Sequence, residues 1–511
     1  MFAPTHTSLS PALLRVVEAL LMDAPSEHAI HYTRGLEQIR AYMRSRHAGP
    51  DGAPLPFRDM VLKWSAEWAE HVEKAIASPI AMATERPMLP FLEGLVGIDI
   101  RVAARGRPDD AIYNGDEYAR KYYPRGNYVA KWALDAATIA YFPLVRAYPK
   151  FTGHEDDGEL SVGDTTQAAT NAASIASEAL SKYFTKPATE TKSVISTVKE
   201  NGEAAHLAVL KKTDGSFVYL VGSKNVHMAI STTSDIEKAI AIGSTNGQNP
   251  FAGARPVAYG LLRMLEGLSP AKRSIFCEFL WQTRLTASFE LLCPNHQHVE
   301  LLSVPDDTPV LFGFSFPTLG SLDGVEICMN PLLGYALGRY CGVRTVQFDV
   351  VPYTGAEFKA VLSAIKTGYQ TEGKVNLYVD GSGAVIGLQK YKTAWYVSLR
   401  AIREKAKSFL VAVLSKKKKV TPDEALALTH KQLEKRFVAI TNWLQLADAD
   451  AQAYCDLGKA FVTYVASVRL ASCDGNASAQ KTVQHDVTNL FPVVWKEFLE
   501  ATDRSDRIDC A

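Results

Sequence analysis

The 511-residue chain has no excess of charge of either sign, because 55 lysine and arginine residues balance 55 aspartate and glutamate residues. A protein that holds a polyanion by its overall field is strongly basic, so this balance argues against a histone-like or coat-like nucleic-acid binder. Any contact with nucleic acid must then come from a local basic groove. The clearest local cluster comprises Arg400, Arg403, Lys405 and Lys407 and leads into residues 416–419, although a solvated helix end gives the same pattern.

The chain also lacks closely spaced cysteines and long apolar runs. Its seven cysteines, at positions 277, 293, 328, 341, 455, 473 and 510, form no C-x-x-C pair. This spacing argues against zinc ribbons and a disulfide framework, and predicts free, mostly buried thiols in a reducing compartment. No segment approaches the roughly 18 uninterrupted apolar residues of a membrane span. We expect a soluble intracellular protein with no membrane partner, in the cytoplasm or nucleus, with a mitochondrial address left open.

Several catalytic signatures are missing as well. The chain contains no G-x-x-x-x-G-K-(S/T) loop, no G-x-S-x-G elbow, no H-E-x-x-H helix and no G-x-G-x-x-G turn. These absences argue against P-loop, serine-hydrolase, zinc-protease and dinucleotide-binding chemistry. A single His31-Tyr32-Thr33 does not make the paired H-x-T arrangement of a 2H phosphoesterase.

Length and periodicity predict two or three domains, with 47% apolar residues to build their cores. Residues 1–115 are predicted to be a helical N-terminal extension, since Trp64, Trp68 and Val72 recur at helical spacing. Residues 116–405 show short strands and turns with interspersed helices, which predicts an α+β domain on antiparallel sheets. An Ala/Ser-rich stretch at 158–196 is interpreted as an insertion. Residues 406–511 are predicted to be a helical C-terminal domain.

Two lysine patterns stand far apart in the chain. One is Lys199-Glu200-Asn201-Gly202, and the other is Lys390-Tyr391-Lys392. A nucleophilic lysine must have its pKa lowered, because a free amine is protonated near neutral pH. Lys390 and Lys392 alternate on a predicted strand, so both point to one face and can supply positive charge there. The combination predicts a nucleotidyltransferase that carries a nucleotide on Lys199, although K-x-N-G alone often occurs by chance.

Further segments surround the lysine turn in a definite order. They are Pro124-Arg125-Gly126-Asn127-Tyr128-Val129, Ala147-Tyr148-Pro149-Lys150-Phe151, Gly222-Ser223-Lys224-Asn225, Thr286-Ala287-Ser288-Phe289-Glu290-Leu291-Leu292 with Pro294-Asn295-His296, and Glu372-Gly373-Lys374-Val375. This ordered set resembles the phage-type RNA ligase 1 family of covalent nucleotidyltransferases and is similar to the ligase module of fungal tRNA ligases. The resemblance covers residues 120–405 and implies a nucleotidyltransferase (ATP-grasp-like ligase) domain, here an RNA ligase adenylyltransferase domain at 116–405.

The resemblance implies a role for each motif residue around the nucleophile. Lys199 would attack the α-phosphate of ATP, and Gly202 would let the backbone approach the nucleotide. Asn201 stands where many family members carry Asp, and either side chain was expected to hold the turn or a metal-bound water. Glu290 resembles the carboxylate that binds the adenosine ribose.

The remaining roles concern the metal and the phosphates. Glu372 resembles the acidic residue that organises a divalent metal, Mg²⁺ or Mn²⁺, a role that needs a hard oxygen ligand. Lys390 and Lys392 would meet the α-phosphate. Arg125 and Lys150 would meet the ATP phosphates or the RNA 5′-phosphate, and Lys224 would lie in the sheet beside the nucleophile. The chain departs from the family at Thr152, where an aromatic residue is usual, so contacts around Lys150 are expected to differ.

A second candidate for the metal-organising acid is Asp323 in Leu322-Asp323-Gly324-Val325. Glu372 is preferred because the family places this element one hairpin before the K-x-K strand. Asp380-Gly381-Ser382-Gly383 supplies the turn of that hairpin.

The resemblance therefore implies an ATP-dependent RNA ligase that seals 5′-phosphate and 3′-hydroxyl RNA ends through lysyl-AMP and RNA-adenylate, in RNA repair or tRNA processing. A tRNA is one candidate substrate, and separate enzymes would heal the RNA ends, because no kinase or phosphoesterase motif is visible. One alternative is a GTP-dependent capping guanylyltransferase, which should carry a β-barrel after the K-x-K strand, where a helical pattern stands. The other is a catalytically silent RNA-binding relative, which the intact lysines and carboxylates argue against.

Overall fold

The computed structural model describes residues 2–88, 92, 94–151, 182–243, 248–319, 326–415 and 420–508. These residues form helices and three sheets in which every strand pairing is antiparallel, so the predicted α+β class is confirmed. The helices are α1 Pro11–Met22, α2 Ala29–His47, α3 Phe57–Ala77, α4 Asp109–Gly115, α5 Glu117–Tyr122, α6 Thr233–Gly243, α7 Arg255–Gly267, α8 Pro270–Thr283, α9 Pro331–Cys341, α10 Gly355–Lys366, α11 Ala394–Leu414, α12 Pro422–Leu444, α13 Asp448–Tyr464, α14 Ala477–Asn489 and α15 Phe491–Thr502.

The strands form three sheets, and β5 belongs to the third sheet although the strands of the second sheet follow it in the chain. The first sheet has the order β1-β2-β3-β4, the second β10-β9-β6-β7-β8 and the third β11-β5-β12-β13. Their bounds are β1 Ala81–Pro87, β2 Leu95–Val102, β3 Asn127–Ala133, β4 Ile139–Arg146, β5 Thr191–Val198, β6 Glu203–Lys211, β7 Phe217–Gly222, β8 His227–Ile230, β9 Thr286–Leu292, β10 Thr308–Ser315, β11 Phe348–Pro352, β12 Gly373–Asp380 and β13 Val385–Lys392.

The N-terminal region is helical through α3, continues as two strands and becomes helical again at α4. The prediction of helix up to residue 115 is wrong for β1 and β2, which pair with each other and join β3. The sequence of β2, Leu-Val-Gly-Ile-Asp-Ile-Arg-Val, is short and rich in β-branched residues, which favours a strand over a helix. Helices α1 to α3 also share the largest apolar core with the second sheet, through residues such as Ile39, Leu207 and Phe289.

The second and third sheets are joined at the lysine turn. Strand β5 of the third sheet ends at Val198, and strand β6 of the second sheet begins at Glu203. The four residues between them therefore cross from one sheet to the other. Residues 158–181 of the predicted insertion lie outside the described residues. Its last six residues, 191–196, belong to strand β5 in the interior of the third sheet.

Turn chemistry fixes the hairpin that presents the late lysines. The Asp380 side chain accepts hydrogen bonds from the backbone of Ser382 and Ala384, and the Asp380 amide bonds to the Ala384 carbonyl at 3.0 Å. Gly383 adopts φ of +82°, a left-handed conformation that favours glycine. The predicted β12–β13 hairpin is confirmed.

The C-terminal region is helical, as predicted, and has a core of its own. Helix α11 starts directly after β13, and α12 to α15 pack with it around Phe409, Leu433 and Phe461. The carboxylate of Asp506 accepts hydrogen bonds from the indole nitrogens of Trp395 and Trp495, each at 2.9 Å. This shared acceptor ties the end of the bundle to the segment that follows the K-x-K strand.

Two sequence expectations concern the whole chain. The six cysteines that the structure describes are all free and buried, as predicted. Among the helices described here, none combines the length and apolarity needed to span a membrane.

Candidate active site

The third sheet brings the predicted catalytic residues to one end. Strands β5 and β13 end there and β12 begins there, because β12 is antiparallel to both. Lys199 follows β5, Glu372 precedes β12 and Lys392 closes β13. The Lys199 amide bonds to the Gly373 carbonyl at 2.9 Å, which fixes the start of the lysine turn against β12.

Glu372 is the centre of this cluster. Its Oε1 lies 2.9 Å from Lys199 Nζ and 3.7 Å from Lys392 Nζ. Burial by itself raises the pKa of Glu372, but the two ammonium groups outweigh burial and hold that pKa below its ordinary value. Burial likewise opposes the charge of Lys199, but the carboxylates of Glu372 and Glu290 outweigh it and raise the pKa of Lys199.

The raised pKa of Lys199 runs against the sequence expectation of a lysine activated by neighbouring cations. The sequence showed the late lysines but not how closely a carboxylate would approach the nucleophile. With the ion pair formed, Lys199 is an ammonium group with no free lone pair. The amine becomes nucleophilic only when added positive charge offsets the carboxylates.

Asn201 orients Glu372 from the other side. Its Nδ2 donates to Glu372 Oε2 at 2.7 Å and to the Tyr396 hydroxyl at 3.1 Å. Its Oδ1 accepts from the backbone amides of Val299 and Glu300. An aspartate here could keep the two accepted bonds but, when ionised, not the donated ones, so the structure gives a reason for Asn at this position.

Gly202 is required by close packing against strand β9. A Cβ at this position would lie 2.3 Å from the Leu291 carbonyl oxygen. The Gly202 amide donates a hydrogen bond to Glu290 Oε1 at 3.1 Å. The sequence argument assigned the small residue to nucleotide approach, whereas the geometry gives a strand-packing reason. Glu290 itself lies on β9 opposite Ala204, with its carboxylate directed at the lysine turn.

The cluster carries more acid than base. Burial, and then the neighbouring Glu372, raises the pKa of Glu300 to about 8, and burial with Glu372 also raises the pKa of Glu290 to about 7. Glu300 Oε1 accepts a hydrogen bond from the Glu372 amide. These carboxyl oxygens are donors that suit a hard divalent cation such as Mg²⁺ or Mn²⁺, which on binding would displace the protons that the raised pKa values favour.

A second, basic group surrounds Lys150. Asp110 bonds to Lys150 and lies 2.9 Å from Arg125, which also reaches Asp109 at 2.7 Å. Burial, then the charges of Arg125 and Lys390, lower the pKa of Lys150 to about 8, with Asp110 only partly opposing them. The sequence-predicted Arg125, Lys150 and Lys390 therefore lie close enough to act on one another.

A cavity of about 490 Å³ opens beside Lys150. Basic and aromatic side chains share its lining, including those of Arg120, Lys121, Lys182, Tyr183 and Phe316. Such a mixture can hold phosphate groups and stack on bases or sugars.

Two basic residues singled out in the sequence, Lys224 and Arg403, have surroundings that differ from those of Lys150. Lys224 is exposed in the turn between β7 and β8, where its charge acts on Glu203. Arg403 is largely buried, and its guanidinium donates to the Thr488 carbonyl at 2.6 Å, so it anchors helix α14. Residues 416–419 and the rival candidate Asp323 lie outside the described residues.

Sequence reasoning missed three contributors: Glu300, Tyr396 and Asp110. Tyr396 packs in the core of the C-terminal helices, and its hydroxyl also reaches Asn201. Glu300 lies four residues beyond His296 of the Pro-Asn-His segment, and Asp110 belongs to an acidic pair upstream of Arg125. For Glu300 and Asp110, the available signal was an acidic residue close to a motif.

Comparison with protein-family models and with curated proteins gives no match. Among solved structures, the chain is similar to an archaeal ATP-dependent RNA ligase, form 1, at 12% identity and a TM-score of 0.36, over 87% of this chain and 82% of that one. It is also similar to the RNA ligase of Naegleria gruberi with pyrophosphate, at 11% identity and a TM-score of 0.26, over 63% of this chain and 98% of that one.

Proposed function

We propose that the protein is an ATP-dependent RNA ligase that joins a 5′-phosphate to a 3′-hydroxyl through lysyl-AMP and RNA-adenylate intermediates. The observation that carries the proposal is the contact of Lys199 with Glu372 Oε1. Lys392 lies near the same oxygen, and Asn201 donates a hydrogen bond to Glu372 Oε2. These residues are separated by up to 193 positions in sequence and meet at one end of one sheet. The arrangement matches the chemistry expected of a covalent nucleotidyltransferase.

In the first step, the Lys199 nitrogen forms a bond to the α-phosphorus of ATP, and pyrophosphate leaves with the electrons of the broken P–O bond. Lys199 must first lose its proton to solvent, and a cation held by Glu372 would favour this loss by offsetting the carboxylate charge that raises the pKa of Lys199. Glu372 with its acidic neighbours would hold a divalent cation, which supplies positive charge beside the phosphate. Lys392 adds charge from β13 on the same side.

In the later steps, a 5′-phosphate oxygen of RNA displaces the lysine from the adenylate, and a 3′-hydroxyl then displaces AMP. The basic group of Lys150, Arg125 and Lys390 is suited to hold these phosphates. The adjoining cavity offers room for the RNA end or for the outer phosphates of ATP. No separate healing chemistry is assigned, so the substrate should already carry 5′-phosphate and 3′-hydroxyl ends, as in a nicked tRNA or another broken RNA.

The decisive experiment incubates the protein with α-labelled ATP or GTP and a divalent metal, followed by denaturing electrophoresis. We expect label from ATP on the parent chain and none on Lys199→Ala. Lys192→Ala, at an exposed position of the same strand β5, is the matched control and should label normally. Label in Lys199→Ala would refute the nucleophile, and label from GTP alone would favour a capping guanylyltransferase. A silent relative would show no label with either nucleotide.

A further inference from the structure

A histidine pair lies against the first residue of strand β6. His298 Nε2 is 3.2 Å from Glu203 Oε1, and His296 Nδ1 is 3.5 Å from the same oxygen. The two imidazole centroids are 5.2 Å apart. One ligand atom from each of the three side chains falls within 4.8 Å of the others, which is a separation that a single ion can bridge.

The chain holds these side chains before any ligand arrives. His296 and His298 flank Gln297 in the loop after β9, and both rings face the same Glu203 oxygen. The His296 amide bonds to the Cys293 carbonyl at 3.0 Å, and the Gln297 amide bonds to the Asn489 carbonyl of α14 at 2.6 Å. Glu203 is held separately, by the pairing of β6 with β9.

The donor set differs from that of the Lys199 cluster. Two imidazole nitrogens and one carboxylate are the ligands that zinc and related transition ions accept, whereas Mg²⁺ prefers an all-oxygen shell. The three side chains are partly exposed, so water can complete a four-coordinate shell. Ordinary histidine–carboxylate ion pairing is the competing explanation.

We propose that Glu203, His296 and His298 form a binding site for one divalent transition-metal ion of the zinc class, distinct from the divalent-cation site of the ligation chemistry. The ion would link the residue next to Gly202 with the loop that contacts the C-terminal bundle at Asn489. Its role is to stiffen the junction between the lysine turn and that bundle.

The test uses untagged, metal-free full-length protein titrated with Zn²⁺ by calorimetry and with Co²⁺ by visible absorption. We expect one ion per chain, Co²⁺ ligand-field bands, and a rise in unfolding temperature with Zn²⁺. Glu203→Gln and His298→Gln should each weaken binding at least tenfold. His430→Gln, which removes a partly exposed histidine from α12, is the control and should bind like the parent.

Lys199→Ala should retain the site, which separates this proposal from the proposed ligase activity. Circular dichroism of each variant establishes folding, and the two ligand variants alter different elements, so misfolding of one leaves the other informative. Equal binding by the parent and both ligand variants would overturn the proposal. So would the absence of stoichiometric Zn²⁺ binding by the parent.

Discussion

Lys199 and Lys150 are both largely buried and both have a carboxylate at hydrogen-bonding distance, yet their pKa values move in opposite directions. The pKa of Lys199 is raised because Glu372 and Glu290 outweigh burial. The pKa of Lys150 falls to about 8 because burial, Arg125 and Lys390 outweigh Asp110. The comparison shows that the sum of surrounding charges sets the state of a lysine, and one salt bridge does not.

The two surroundings suit different ligands. The acidic group around Lys199 attracts cations, while the basic group around Lys150 attracts phosphates. A nucleotide–metal complex carries both charges, so it can satisfy the two groups together. Substitutions in either group test this division, beginning with the loss of labelling expected for Lys199→Ala.

Glu372→Ala should remove the centre of the acidic group and reduce both adenylylation and sealing of 5′-phosphorylated RNA by roughly 100-fold or more, the range seen when a preorganised charged contact is lost. Labelling and gel-based ligation measure the two steps. Asp349→Ala, which removes an exposed carboxylate from β11 of the same sheet, is the control and should remain active. Parent-like sealing by Glu372→Ala would move the metal-organising role elsewhere, and Asp323 would be the next position to test.

Asn201→Asp should reduce adenylylation by roughly tenfold or more. The variant keeps the oxygen that accepts hydrogen bonds from the Val299 and Glu300 amides. It replaces the amide nitrogen that donates to Glu372 with a carboxylate oxygen, and the two carboxylates repel each other. The rate of lysyl-AMP formation is the measurement. A variant as fast as the parent would mean that the amide donor is dispensable and that Asp and Asn are interchangeable here.

The pKa of Lys150 predicts a pH dependence of phosphate binding. A lysine with a pKa of about 8 is mostly charged at pH 7 and mostly neutral at pH 9, so ATP affinity should fall about tenfold across that interval. Calorimetry on Lys199→Ala, which cannot react, measures binding alone. Adding Lys150→Met should weaken binding at pH 7 and flatten the profile. If the ATP affinity of Lys199→Ala, with Lys150 intact, is already constant from pH 7 to 9, Lys150 has no role in phosphate binding.

Lys224→Ala should have the smallest effect, under about twofold on adenylylation, because the side chain is exposed and its charge acts on Glu203. The comparison is with Lys150→Met under the same labelling conditions. If the two variants lose activity equally, Lys224 contributes to nucleotide binding despite its exposed position.

The architecture followed from local patterns where those patterns were strong. The helical C-terminal region, the Asp380–Gly383 turn and the shared face of Lys390 and Lys392 were predictable, because turn residues and side-chain periodicity are properties of neighbouring residues. Tyr391, which lies between these two lysines, points to the opposite face, where its hydroxyl lies 3.0 Å from that of Tyr378. Strands β1 and β2 were missed, because their stability comes from pairing with each other and, for β2, with β3, and such pairings are not local properties of the sequence.

The sequence by itself determined which chemical groups were available: a lysine in a K-x-N-G turn, two late lysines on one strand face, and carboxylates in a definite order. Only the tertiary structure decided their charge states and partners. Lys199 meets Glu372 across 173 positions, and Glu300 joins them through a loop held by Asn201. Electrostatic energy depends on distance and burial, and both are set by how the sheets pack. The same reason explains why two lysines of one chain have opposite pKa shifts.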